Sequence, residues 1–188
     1  MSSAPWSYAA WGVAALCAVV ASILVEPGLL GVLGGALAVV MIAIAAIDAR
    51  RFVIPNELVL AGLLLGLVAA AIDRSDLMTT ALLGAAGRGV VLALAFWAFR
   101  TAYRRLRGRE GIGLGDVKLA AVAGTWLGWT AAAVAVDIAA LSALAAVLVQ
   151  AFRGRRVSAK TPVPFGLFFA PAIWIAWLFA ALSTRLIG

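Results

Sequence analysis

A chain of 188 residues that is 65% hydrophobic and 12% charged has too little polar surface to coat a water-soluble domain, so it is read as an integral membrane protein. It contains no histidine and one cysteine, Cys17, which excludes Ser/His and Cys/His nucleophiles, histidine-ligated zinc, disulfide frameworks and c-type haem attachment. The formal charge of +7 sits in short loops of a membrane chain, so it points to orientation and contact with anionic lipid, with no nucleic-acid partner.

Acid/base chemistry is left to carboxylates, lysine and tyrosine, and neither a metal nor another cofactor is expected. The N-terminus, MSSAPWSYAAWG, lacks the basic segment of a secretory signal, so the first apolar run is read as a retained helix. Apolar runs at 8–25, 28–47, 57–72, 77–99, 117–130, 132–152 and 163–185 predict about seven membrane-crossing helices, or six if 117–152 forms a single crossing. Alternation with a period of two is missing, which excludes a β-barrel. The expected fold is therefore all-α, one polytopic transmembrane domain over residues 1–188.

The breaks between runs carry turn and charge signals: Glu26-Pro27-Gly28, DARRFVIPNE at 48–57, DRSD at 73–76, RTAYRRLRGREGIGLGD at 100–116, the turn at Gly128 to Thr130, and RGRRVSAKTPVP at 153–164. Basic residues crowd alternate breaks, with Arg50, Arg51, Arg100, Arg104, Arg105, Arg107, Arg109, Arg153, Arg155, Arg156 and Lys160 on one side and Arg74 and Arg185 on the other. The positive-inside rule makes the crowded side cytoplasmic, which puts the N-terminus inside the cell in the inner or plasma membrane. Glycines four apart, at Gly31 and Gly35, Gly62 and Gly66, and Gly124 and Gly128, are expected to let helix backbones approach closely in lipid.

Topology sorts the eight acidic residues. Glu26, Asp73 and Asp76 fall in outer turns, Glu57 opens a helix where the dipole stabilises it, and Glu110 lies among arginines that can pair with it. Asp48 ends the second run directly after MIAIAAI, and Asp116 opens the fifth directly after GIGLG. Two whole crossings separate them, and an even number returns the chain to the same membrane face. Two carboxylates meeting in a partly dehydrated site do not both ionise, so one can accept a proton from water while the other donates one. Gly113 and Gly115, lacking Cβ atoms, can take positive φ and let an extended peptide approach as an added strand.

Gly113-Leu114-Gly115-Asp116 followed by Val117-Lys118-Leu119, together with DARRFVIPN at 48–56, GTWLGW at 124–129 and VPFGLFFA at 163–170, resembles in matching order the prepilin peptidases, a family of GxGD-type membrane aspartyl proteases. The likeness runs from about residue 40 to 172. It implies an aspartic endopeptidase that cleaves the short basic leader from type IV or Flp-type pilin-like precursors at the cytoplasmic membrane face. By the same resemblance Asp48 and Asp116 are the catalytic pair, and Asn56, Gly113, Gly115, Lys118, Pro164, Phe165 and Gly166 bind substrate or shape the loops. The chain looks like the short form of that family, without the paired CxxC domain, so methylation of the product is not expected. Two rivals are weighed: an inactive membrane scaffold of a pilus or secretion system, and a small ion- or proton-coupled transporter.

Two cations need separate reading. Lys118 lies about 200° around a helix from Asp116 and is expected to extend towards lipid headgroups. Arg88 falls about 16 Å from either end of its run, and Asp137 is proposed as its partner. The basic loops would repel a basic leader, so they are read as lipid contacts, with substrate entering laterally.

Overall fold

The computed structural model describes residues 6–73, 75–108, 111–154 and 164–187. Glu110 and residues 155–163, on which an arginine pairing and part of the basic-loop reading fall, lie outside the described residues. The described chain is all-helical, with α1 Trp6–Val25, α2 Leu29–Arg51, α3 Asn56–Asp73, a short 3-10 turn Ser75–Leu77, α4 Met78–Arg107, α5 Leu114–Trp126, α6 Trp129–Phe152 and α7 Phe165–Ile187.

The helix ends follow from local chemistry. α2 stops where Phe52 takes a left-handed conformation (φ 54°) and its N–H donates to the Asp48 carbonyl at 3.0 Å. Pro55 then bars helix at Ile54 and opens α3, where Val59 N–H reaches the Pro55 carbonyl at 3.2 Å. α4 runs on through the arginine-rich segment that the apolar pattern had excluded. Arg104, Arg105 and Arg107 occupy its last turn, where cations favour the helix C-terminus, and Gly108 closes it with φ 65° and an N–H to the Arg104 carbonyl.

Five helices, α2, α3, α4, α6 and α7, are long and apolar enough to cross a membrane, and Ala9–Val25 within α1 forms a shorter apolar helix. The fifth of the expected crossings differs. α5 has 13 residues, about 20 Å at 1.5 Å per residue, against a hydrocarbon layer of about 30 Å. Extended backbone at Leu127 and Gly128 separates it from α6, so residues 117–152 form two helices of which the first is a partial crossing.

This short helix occupies the middle of the bundle. Leu119, Ala120, Val122 and Ala123 of α5 are buried among Leu37, Met41 and Ile44 of α2 and Phe169 and Ile173 of α7. Its small residues set how closely neighbours pack, because packing rather than water exclusion holds helices together in lipid. A Cβ at Gly124 would lie 2.5 Å from the Gly89 nitrogen of α4, and one at Gly62 of α3 would lie 3.0 Å from Val122. Trp126 fixes the same contact by donating its indole N–H to the Gly62 carbonyl at 2.9 Å. The predicted glycine pairs divide: Gly62 and Gly66 both face α5, Gly35 faces Val19 of α1, and Gly128 meets nothing within 4 Å.

Arg88 does not pair with Asp137. Its Nε donates to the carbonyl oxygens of Leu127 (3.0 Å) and Gly124 (3.3 Å). α5 ends inside the bundle with unsatisfied carbonyls and the negative end of its dipole, so the cation is drawn there rather than to a carboxylate on α6.

Candidate active site

Both aspartates extend an inward stripe. On α2 the buried residues Met41, Ile44, Ala45 and Asp48 recur at helical spacing, and on α5 Asp116, Leu119, Ala120 and Ala123 do the same. Asp48 thus closes one core-facing row and Asp116 opens the other, at 5% and 7% exposure respectively. α7 begins at this end of the bundle, since Leu167 N–H donates to Asp48 Oδ2 at 2.9 Å and the Gly166 amide is a second donor. These are first-turn amides that no helical carbonyl satisfies, so Asp48 caps α7.

Asp116 is held differently. It is the third residue of α5, and its Oδ2 accepts the Gly113 N–H at 3.1 Å, closing the start of its own helix. Gly113 is extended, with φ −73° and ψ 157°, and Gly115 lies in the first turn, so neither uses the positive φ open to glycine. The physical reason is that N-cap geometry requires extended backbone. Gly115 serves by lacking a side chain, since a Cβ there would lie 3.0 Å from Ile54. At Gly166 a Cβ would lie 2.8 Å from Ile54 Cδ1 and 2.9 Å from Asp48 Oδ2. Ile54, buried beside both glycines, therefore joins the Asp48 and Asp116 sides of the site.

The two carboxylates sense each other. Burial above all, and to a lesser degree the neighbouring Asp48 charge, push the Asp116 carboxyl from 3.8 up to about 6, against the lowering effect of the Gly113 N–H. Asp116 lies in the first turn of a helix too short to cross the membrane. Among the described residues no group of three or more histidine, cysteine, aspartate or glutamate side chains assembles.

The other predicted residues surround this centre. Lys118, expected to extend towards headgroups, donates from Nζ to Asn56 Oδ1 at 2.6 Å and links α5 to the start of α3. Pro164 immediately precedes α7, and Phe165 begins it, stacked at a tilt on Phe169 with ring centres 5.5 Å apart. Sequence reasoning missed four contributors. Ile54 and Leu167 stood inside quoted motifs but carry no chemistry of their own. Arg100, grouped with the orientation charges, is buried at 9% exposure and donates from Nε to the Ile112 carbonyl at 3.1 Å. Tyr103, one turn on, packs under Gly111, where a Cβ would lie 2.5 Å from the ring. α4 therefore holds the loop that presents Asp116.

An all-helical membrane bundle with two buried aspartates in one site, each bound by backbone amides at a helix start, defines the class: a polytopic membrane protein with a carboxylate pair at one end. Residues 35–149 match the type IV leader peptidase family, and the chain belongs to that family. It is 40% identical over 151 residues to a prepilin leader peptidase/N-methyltransferase of Dickeya chrysanthemi, covering 80% of this chain and 51% of that protein. It is 34% identical over 176 residues to one of Aeromonas salmonicida, covering 91% and 57%, and 36% identical over 151 residues to one of Pseudomonas aeruginosa, covering 77% and 48%. The chain thus spans about half the length of these curated relatives. No solved structure matches it.

Proposed function

We propose that this chain is an aspartic endopeptidase that removes the basic leader from type IV or Flp-type pilin-like precursors at the cytoplasmic face of the membrane. The supporting observation is that two buried carboxylates lie at the same end of the bundle on either side of Ile54, which abuts both Gly115 and Gly166, with the Asp48 charge among the causes that raise the Asp116 pKa. Asp48 accepts two amide N–H groups of α7 where Asp116 accepts one, so of the two it is assigned as the ionised member. Asp116, raised to about 6, holds the proton.

Asp48 takes a proton from a water whose oxygen attacks the scissile carbonyl carbon, and Asp116 donates to the carbonyl oxygen. Collapse of the tetrahedral intermediate breaks the C–N bond, with the proton taken by Asp48 passing to the leaving amine and one hydroxyl proton of the intermediate returning to Asp116. The basic loops face anionic lipid, the substrate helix enters laterally, and its extended leader lies over the pair. The names of the relatives and the family match support the precursor class. Coexpression with pilin-like precursors tests the reading: the wild type shortens the precursor, and Asp48→Ala and Asp116→Ala leave it at full length. Continued cleavage by both variants would exclude the carboxylate mechanism.

A further inference from the structure

A cavity of about 640 Å³ opens at the membrane face opposite the aspartates. The shortness of α5 creates it. Above the end of that helix, at Thr125 to Gly128, no α5 backbone continues, and the walls supplied by α3, α4 and α7 are mostly small: Gly66, Ala70, Ala81, Gly84 and Ala180 among them. Side chains of that size leave the space unfilled.

The charges lining it are ordered by depth. Glu26, in the turn between α1 and α2, stands at the mouth beside Asp73. Arg88 lies at the floor, ten positions into α4. Its NH1 lies 3.5 Å from where a Cβ on Gly84 would sit, so the guanidinium reaches a full turn back towards the mouth, to about 9 Å below the start of α4. Nε is committed to the α5 carbonyls. Among the described residues the terminal nitrogens of Arg88 and the carboxylate of Glu26 make no hydrogen bond or ion pair. Arg185, the nearby cation, binds the last carbonyls of α1 at Leu24 (2.8 Å) and Val25 (3.2 Å) instead. With no partner among the described residues, a cation at membrane depth with four donor hydrogens calls for an anion, and the carboxylate at the mouth calls for a cation.

We infer that this cavity binds the headgroup of an aminophospholipid from the leaflet opposite the acid pair, with the phosphate on Arg88 and the ammonium on Glu26. In such a lipid the ammonium is outermost and the phosphate lies deeper, which is the order in which the cavity presents its acid and its base. A trimethylated ammonium has no hydrogens to donate to Glu26, and a headgroup without an amine leaves that carboxylate unmatched. The site stands apart from the peptidase reading and depends only on the chain crossing a membrane.

The test is native mass spectrometry of the full chain extracted from vesicles of equal phosphatidylethanolamine, phosphatidylcholine and phosphatidylglycerol. One phosphatidylethanolamine is expected to be retained about tenfold over either competitor, the worth of one charge-assisted contact. Glu26→Gln, which touches no α5 contact, brings the three lipids near parity, and Ala81→Trp, which fills the cavity, removes the retained lipid. Equal retention of all three lipids by the wild type, a preference unchanged in Glu26→Gln, or preference for phosphatidylglycerol would overturn the assignment. Displacement by millimolar free phosphorylethanolamine would likewise overturn it, in favour of a soluble zwitterion.

Discussion

Replacing Asp116 with asparagine should stabilise the protein at neutral pH. The Asp116 carboxyl rises from 3.8 to about 6 because burial disfavours its charged form, so folding favours the protonated acid. The favourable contribution is complete below pH 4, where folded and unfolded chains both hold the proton, and it is lost as pH rises through about 6. At about 1.4 kcal/mol per pH unit, a pKa displaced from 3.8 to about 6 corresponds to about 3 kcal/mol withdrawn from the wild type by pH 8. Asparagine keeps an oxygen for the Gly113 N–H and carries no charge, so Asp116→Asn escapes the loss. Unfolding in mixed micelles, followed by tryptophan fluorescence, should give equal stabilities at pH 4 and an advantage of about 3 kcal/mol for the variant at pH 8. Asp48→Asn in the same background should shrink that advantage, since the Asp48 charge contributes to the displacement. An Asp116→Asn protein that is less stable by the same amount at every pH would refute the argument, because a structural hydrogen bond and not a buried charge would then govern the site.

Cleavage itself should decline above about pH 6 as Asp116 loses the proton it must donate, and a pH–rate profile with its falling limb several units higher would contradict the assigned roles. Gly166→Ala should abolish cleavage and cost about 1–3 kcal/mol, since its Cβ would enter 2.9 Å from Asp48 Oδ2 and 2.8 Å from Ile54. The double variant with Ile54→Ala should recover part of the stability, which thermal melts would register. Arg100→Gln should lower kcat about tenfold with little change in KM by loosening the Ile112 carbonyl tether, whereas a KM effect alone would make it a substrate contact. Gly124→Leu should separate α4 from α5, where a Cβ already comes within 2.6 Å of the Arg88 backbone, and protein yield in membranes should collapse.

The helices and the aspartate pair were legible because their signals are local or follow from counting. Apolar runs mark helices wherever the solvent is lipid, and an even number of crossings returns Asp116 to the face of Asp48. What was hidden depends on length and depth. The pattern at 117–130 gave a crossing because Leu127 and Gly128 are compatible with helix, yet α5 ends at Trp126. Arg88 looked like half of an ion pair because a mid-run cation seeks an acid, and backbone carbonyls at an interrupted helix end leave no mark in composition. Arg100 was indistinguishable from its neighbours because burial at 9% exposure arises from how α4 lies under the 111–113 loop. Ile54 was visible only as part of a motif, since its role is to fill the space that two glycines leave.

The partial crossing and the acid pair are linked by one helix. α5 must bury Asp116 and still start in a loop reachable from water, so its core-facing row of Leu119, Ala120 and Ala123 can run only a few turns before the small residues around Gly124 lie against α4. Its far end then stops within the bundle, where its last carbonyls lack helical partners, and Arg88 supplies the donors. Removing that cation should therefore act at the aspartates, through the position of α5, and not only at the opposite face. Arg88→Leu is expected to weaken cleavage while leaving its pH dependence unchanged, because the charge on Arg88 is remote from Asp116 and is not among the causes of its raised pKa. A shifted pH profile with an undiminished maximal rate would show that Arg88 acts on the acids electrostatically, and the mechanical link along α5 would fall.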